Sequence, residues 1–448
     1  MAYDADIVVV GTGAAGLFAS VWAARTLAAA GSGARGDARA RVIAVDGASK
    51  LGAKILVAGG GRCNVTHHSV DESAYAGSTR PAIRKVLRAF GVERTVEFFA
   101  SRGVELKREE TGKLFPTTDR AADVLHALLG AAREEGVEIR HPWRVGRVAR
   151  ESGDTNGESG FIIERDDGAA TLRTRRVILA MGGKSLPKTG SDGSGFEVAR
   201  SLGHSITPHT FPALVPLLVE KGDSLTELSG ITVRAGVTLR SGTGKKLVTF
   251  VNSVLFTHFG LSGPGVLDIS RYWTAARLGA GDRPDPGARL EMNLVPEDTP
   301  DSIDARLVRA GETGSDLGVA RWLVKEFEIP ERLSRVLAVH AGVEAGTRVR
   351  TLSRELRRAV ARSVTEYPLR VIGDRGYLFA EATAGGVPLV EIDLASMESR
   401  VVPGLHVCGE LCDVDGRIGG FNFQWAWSSG HVAGVGAARA IASAPRMD

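Results

Sequence analysis

An apolar run, Ile7-Val8-Val9-Val10, leads into the glycine-rich turn Gly11-Thr12-Gly13-Ala14-Ala15-Gly16 and then a helix-like stretch from Leu17 to Ala30. Consecutive apolar residues bounded by glycine predict a strand buried on both faces. A second short run, Val42-Ile43-Ala44-Val45, ends in Asp46. From Asp6 to about Leu202 such runs alternate with helical patterns, the sequence form of a doubly wound parallel sheet. A helix is predicted from Asp119 to Glu135. Asp119 is its cap, Val124, Leu125, Leu128 and Leu129 recur at helical spacing, and Gly136 is its stop. Trp143 to Val148, Phe161 to Glu164 and Thr171 to Arg175 alternate as a three-stranded antiparallel meander that crosses back to the buried run Val177-Ile178-Leu179.

After Pro208 the pattern changes. Short strands are predicted at Ala213 to Val219, Val233 to Leu239, Leu247 to Val251 and Leu290 to Leu294, as in a small β-barrel or sandwich. Ser302 to Glu366 reads as helical, and its last helix spaces Arg354, Arg358 and Arg362 four apart, a solvated face by default. Strand patterns return at Leu369 to Val390, and Leu405-His406-Val407-Cys408 is another buried strand ending at Gly409. The expected architecture is an α/β, Rossmann-like nucleotide-binding domain interrupted by an inserted β-barrel with a helical subdomain. The expected segments are 1–208 and 391–448 for the nucleotide domain, 209–300 and 369–390 for the barrel, and 301–368 for the helices.

The first turn has the spacing of a dinucleotide site. Gly11 permits the tight turn, Gly13 lets backbone approach a pyrophosphate, and Gly16 lets helix pack on strand. The free N–H groups of Ala14 and Ala15 and the helix dipole favour the negative charge. Asp46 is placed to accept from ribose hydroxyls. Gly31-Ser32-Gly33-Ala34-Arg35-Gly36 repeats the spacing but precedes a strand, and reads as part of a long loop, Gly31 to Ala40. Ala180, Gly182 and Gly183 close another buried strand where backbone can approach a ligand. Gly409, Glu410 and Asp413 follow the late strand, and Gly419, Gly420, Phe421 and Asn422 precede a helix from about Gln424 to Ala442. Such a strand end offers an acid to a ribityl or pyrophosphate, and the helix end offers positive potential to a reduced flavin. Lys54 and Val145 complete the cofactor candidates.

A chain of 448 residues with a net charge of +4, acids and arginines mixed throughout, points away from nucleic acid. No apolar run reaches the roughly 18 residues of a membrane helix. The acidic start Asp4 to Asp6 is unlike a signal peptide, and three cysteines are too few for a disulfide framework, so a cytoplasmic protein is expected. No zinc or iron–sulfur spacing occurs, so no metal is expected.

Gly59-Gly60-Gly61-Arg62-Cys63-Asn64 is a loop whose backbone can lie against a flat ring. With it the chain resembles the BaiN-type, YhiN-like NAD(P)/FAD-dependent oxidoreductases. Further shared segments are Lys113-Leu114-Phe115-Pro116, Gly182 to Gly190, Leu255 to Pro264, Ala384 to Val387, and Asp413 to Gly416 with Gly419 to Ala426. Met181 stands where threonine is common, and the Gly31 to Ala40 loop is longer than usual. The resemblance implies a discontinuous FAD domain, a flavin loop at Gly60, Gly61, Arg62, Cys63 and Asn64, and reduction of activated carbon–carbon double bonds in steroid-like acids.

Two residues are candidates for catalysis. His258 is a proton donor candidate, set against a structural role at a Gly-Pro turn. Cys63 is either a redox thiol or a packing residue beside the ring. Arg62, Lys184 and Lys188 either steer an acidic substrate or are merely solvated. The sequence has no second strand–glycine–helix unit, so NAD(P)H is expected as a transient donor to FAD, with a small-molecule substrate. Two rivals remain open: an amine or aminoketone oxidase using oxygen, and a flavin-linked RNA-modifying or RNA-binding protein, the latter resting on the arginine stripe alone.

Overall fold

The buried apolar runs form the centre of a parallel sheet. The computed structural model describes residues 3–31, 41–151, 160–280 and 283–443. The chain divides into two units, Met1–Pro212 with Glu381–Asp448, and Ala213–Ala380. In the first unit the main sheet contains β1 (Ala5–Val10), β2 (Val42–Val45), β3 (Glu138–Arg140), β4 (Val145–Glu151), β5 (Gly160–Arg165), β6 (Thr171–Leu179) and β7 (Leu405–Val407), extended beyond β7 by the short strands Glu398–Ser399 and Ile392–Asp393. The parallel order is β7-β6-β1-β2-β3. Chain order runs outward from β1 to β3, then resumes on the other side of β1 with β6. The crevice beyond the carboxyl ends of β1 and β6 is therefore the topological switch point, where open α/β sheets bind ligands.

The meander is present as β4, β5 and β6, and the two runs expected at Thr171 to Arg175 and Val177 to Leu179 are one strand. Its first residues pair antiparallel with β5, while the rest runs parallel to β1 and β7. One strand thus joins meander to sheet. Ser32 to Ala40, including most of the second glycine pattern, lie outside the described residues.

The helices that bear on the site are α1 (Ala14–Ala29), α2 (Ala53–Gly61), α3 (Ala121–Glu134) and α4 (Phe421–Ala442), with shorter helices between α2 and α3 and another at Ser194–Ser201. Asp119 does not cap α3. Arg120 takes the cap position without a side-chain bond, and the Asp119 carboxylate pairs with Lys107 and, at 3.6 Å, with Arg62. Strong cations reached it before the helix did. Helix α4 lies directly on α1: a Cβ at Gly430 would sit 2.6 Å from the Ala15 carbonyl oxygen, and one at Gly434 would sit 2.3 Å from that of Ala19. Glycines one turn apart make that close approach possible.

The second unit is an antiparallel sheet whose order runs Tyr367–Leu369, Arg289–Asn293, Thr232–Arg240, Lys246–Thr257, Gly260–Ser262, Leu217–Val219, Val371–Asp374. First and last strands of that order are successive parts of one extended stretch, residues 367–374, so the sheet closes on itself as a barrel. Helices Pro300–Glu312, Val319–Phe327, Glu331–His340 and Arg354–Thr365 bury Ile303, Leu307, Leu323, Leu337 and Val364 in a core shared with the barrel. Arg354, Arg358 and Arg362 are exposed, as a solvated face requires.

Candidate cofactor site

The three glycines of the first turn do three different things. Gly11 has φ +96°, and a Cβ there would lie 2.5 Å from the Ala180 carbonyl oxygen, so β1 turns tightly against the end of β6. A Cβ on Gly16 would lie 1.8 Å from the Gly11 carbonyl oxygen, so helix and turn interlock. Gly13, which caps α1, faces open space with no atom within 4 Å of where its Cβ would be. A side chain there would fill the space before the helix N-terminus, where unpaired N–H groups and the dipole attract an anion. This fits a dinucleotide pyrophosphate.

Asp46, at the end of β2, is tied to that turn. Its Oδ2 accepts from the Thr12 N–H at 2.7 Å and the Thr12 hydroxyl at 2.8 Å, while Oδ1 accepts from the Ala48 N–H at 2.8 Å. Thr12 is buried, a partner that the glycine spacing of the turn does not mark.

A second constellation gathers four segments. Lys54, in the first turn of α2, donates to Glu410 Oε2 at 2.5 Å and to Ser185 Oγ at 2.6 Å. The Ser185 hydroxyl donates to Glu410 Oε1 at 2.6 Å, and the Thr383 N–H donates to the same oxygen at 2.9 Å. Thr383 Oγ1 accepts from the backbone N–H groups of Lys184 and Ser185. The glycine at 183 is required here, because its Cβ would lie 2.4 Å from Thr383 Oγ1 and 3.0 Å from Glu410 Oε1. Gly409 packs on Ala15 of α1, so the Glu410 carboxylate is anchored beside the glycine turn. Ser185 and Thr383, like Thr12, are residues sequence reasoning missed. Ser185 lay inside a shared segment, but nothing local marks its partner.

The Gly59 to Asn64 loop leaves α2 through a kink at Ala58, and Gly59, Gly60 and Gly61 have φ of +58°, +69° and +84°. A Cβ on Gly60 would meet no atom within 4 Å, so bare backbone faces outward. Arg62 lies 4.1 Å over the Phe115 ring and pairs with Glu109 at 2.7 Å, which raises its pKa further. Its charge is already balanced by acids. Cys63 is fully buried at φ +58°, and burial pushes its thiol pKa up, so it stays protonated. The Asn64 amide bonds to the carbonyls of Thr66 and Leu114 and accepts from the Gly420 N–H at 3.0 Å.

At the start of α4, a Cβ on Gly420, at φ +93°, would lie 2.5 Å from the Thr66 carbonyl carbon. Phe421 stacks on His67 at 4.9 Å, and the Asn422 amide brackets Gly416 through two bonds. Gly419, at φ +127°, is less crowded, its Cβ meeting Phe421 at 3.4 Å. The Asp413 carbonyl receives the Ser78 N–H at 2.8 Å, and Val145 is a buried residue of β4. Cys408 and Cys412 are buried too, and burial pushes Cys408 up to about 12. His258 is on the other unit, exposed at the turn between strands Lys246–Thr257 and Gly260–Ser262. No helix among the described residues is long and apolar enough to cross a membrane.

Residues 5–436 match the HI0933-like protein Rossmann domain family. The chain belongs to that family. As a member it is an FAD-dependent oxidoreductase, and the switch-point turn fits the cofactor's pyrophosphate. It is 33% identical over 435 residues to a 3-dehydro-bile acid delta(4,6)-reductase of Clostridium scindens, covering 96% of this chain and 98% of that one. It is 31% identical over 426 residues to a ribosomal RNA dihydrouridine synthase of Escherichia coli, covering 95% and 96%. Among solved structures, a 3-ketosteroid delta1-dehydrogenase from Sterolibacterium denitrificans aligns over 98% of this chain and 99% of that chain, with 14% identity and a TM-score of 0.49.

Proposed function

We propose that this flavoprotein is reduced by NAD(P)H and saturates an activated carbon–carbon double bond in a small organic acid or ketone, with steroid-like acids as the leading class. The observation that supports it most is near full-length similarity to a bile acid reductase, beside a glycine turn at the switch point that fits a pyrophosphate. When bound, FAD supplies the centre that accepts electrons from one substrate and returns them to another. The chain's own residues do the rest. The α1 N-terminus at Gly13 takes the pyrophosphate, Asp46 braces the turn through Thr12, and Lys54 with Ser185 fixes the Glu410 carboxylate for the ribityl hydroxyls. Saturation also needs a proton. His258 is the donor we propose: its imidazole is exposed and makes no hydrogen bond among the described residues. Cys63, held as a buried thiol, packs and takes no part in chemistry.

A second reading shares the reaction and differs in substrate. Relatives named ribosomal RNA dihydrouridine synthase favour a uridine of ribosomal RNA as the double bond reduced. Anaerobic stopped-flow separates reductase from oxidase. Rapid bleaching of the flavin by NADH or NADPH, then recolouring by a 3-oxo-4,6-diene bile acid with a mass gain of two hydrogens, is the expected result. Recolouring by unmodified ribosomal RNA, with dihydrouridine in its digest, selects the second reading. Bleaching by an amine and not by either pyridine nucleotide overturns both.

A further inference from the structure

We infer that the barrel unit carries its own recognition site for a planar unsaturated ring bearing an anionic oxygen, built from Phe259, Arg375 and Phe379 with His258 beside them. The Arg375 guanidinium lies over two aromatic rings, 4.2 Å from the Phe259 centroid and 3.4 Å from that of Phe379. His258 stands edge-on to Phe259, its ring 5.1 Å away at an interplanar angle of 84°. All four belong to the same unit.

Backbone bonds fix both halves. The Thr257 hydroxyl closes the hairpin turn onto the Gly260 carbonyl at 2.9 Å, and the Phe259 carbonyl accepts the Val219 N–H at 3.3 Å. On the other side the Arg375 N–H donates to Pro216 at 3.1 Å, the Gly376 N–H to Asp374 Oδ1 at 2.7 Å, and the Phe379 N–H to Gly376 at 3.1 Å. The guanidinium is thus pre-oriented before any ligand arrives.

Its chemistry is unfinished. Several arginines of this unit have acids, Arg240 meeting Glu291, Arg306 meeting Asp298 and Arg357 meeting Asp304, while Arg354, Arg358 and Arg362 are solvated. The Arg375 side chain makes no ion pair or hydrogen bond among the described residues. Two rings lie against the guanidinium, and its N–H groups, which point outward in its own plane, stay able to bind, a geometry that suits carboxylate or phosphate oxygens. Next to it Leu378 and Phe379 are 55% and 44% exposed, large apolar groups that a flat ring would cover. Two adjacent demands, an acceptor for the guanidinium edge and a flat partner for Phe379, are met by one ligand with both features. The inference rests on the reductase reading for its meaning, since a ring conjugated to a carbonyl is the substrate that reading needs.

Calorimetry on the oxidised, FAD-loaded full chain, with no electron donor, tests it separately from turnover. The probes are uridine monophosphate, a 3-oxo-4-ene steroid carboxylic acid and inorganic phosphate. At least one ring-bearing anion binds, and which one identifies the source of the ring. Arg375→Gln weakens it roughly tenfold or more, Arg375→Lys less, as expected for a planar fork replaced by a point charge. Phe379→Ala weakens the ring-bearing anion roughly tenfold and leaves inorganic phosphate unchanged. FAD content and melting temperature confirm that each variant is folded, and a second set, Arg375→Met and Phe379→Leu, replaces any that are not. The inference is overturned if neither ring anion binds the parent, if folded variants bind like the parent, or if phosphate binds as well as the ring anions. Loss of pyridine-nucleotide reduction with these affinities intact defeats the reductase reading alone.

Discussion

Gly13 and Gly16 stand three residues apart in one turn, yet their environments are opposite. Gly13 is extended and faces open space, so valine is tolerated by the backbone and intrudes on the cofactor. Gly13→Val should lower FAD affinity by roughly tenfold or more while the apo form changes by no more than about 1 kcal/mol, the usual range for a helix cap. Gly16→Val drives a side chain into the Gly11 carbonyl and should abolish soluble, folded protein. Flavin fluorescence titration and thermal melts on both decide this: a Gly13 variant with parental affinity removes the turn from the site. At Cys63 the buried thiol argues for packing. Cys63→Ala should keep its flavin and most of its turnover, and a loss of orders of magnitude with flavin still bound would make the thiol catalytic.

Elements meet through single residues. The approach of α4 to the Thr66–His67 strand depends on Gly420, whose Cβ would overlap the Thr66 backbone, and on Asn64, which holds the Gly420 N–H. In the sequence Gly420 precedes a helix end expected to face the flavin; in the structure a Cβ on it would also meet the Thr66 backbone. Gly420→Val should therefore lose flavin and lower the melting temperature together, unlike Gly13→Val, which separates the two. Flavin-to-protein ratio and melting temperature measured on one preparation distinguish them. A Gly420 variant that loses flavin at parental melting temperature would place the cofactor directly on that glycine.

At the scale of the whole molecule, two buried histidines make stability depend on pH. Burial lowers the pKa of His431 to about 3 and of His406 to about 4. In the unfolded chain both titrate near about 6.5. Between those limits the unfolded state binds more protons, so stability is fully present above about pH 6.5 and is lost as pH falls toward the folded values, at up to about 1.4 kcal/mol per unit for each histidine. Urea unfolding at about pH 7 and about pH 5 should show the loss, and His431→Gln should flatten it. An equally steep loss in that variant would assign the slope to other groups. The same preparation should release FAD on heating, and FMN as its sole flavin would contradict a turn built for a pyrophosphate.

Covalent neighbours carried most of what the chain disclosed by itself. Strand, glycine turn and helix at Val10 to Leu17 are contiguous, so their spacing states their geometry, and the change from alternating elements to short strands after Pro208 marks the insertion. Burial on both faces explains why β1 and β2 read as unbroken apolar runs. Packing between distant segments decided the rest. Nothing near Ser185 announces Lys54 or Glu410, nothing near Asp46 announces Thr12, and Gly183 and Gly420 are glycine because Thr383 and Thr66 come close. Asp119 looked like a cap until Lys107 and Arg62 took its carboxylate, and nothing near Phe259 announces Arg375. A sequence specifies local conformation through steric limits and hydrophobic period, whereas a hydrogen bond or a close contact depends on where the fold brings its second partner.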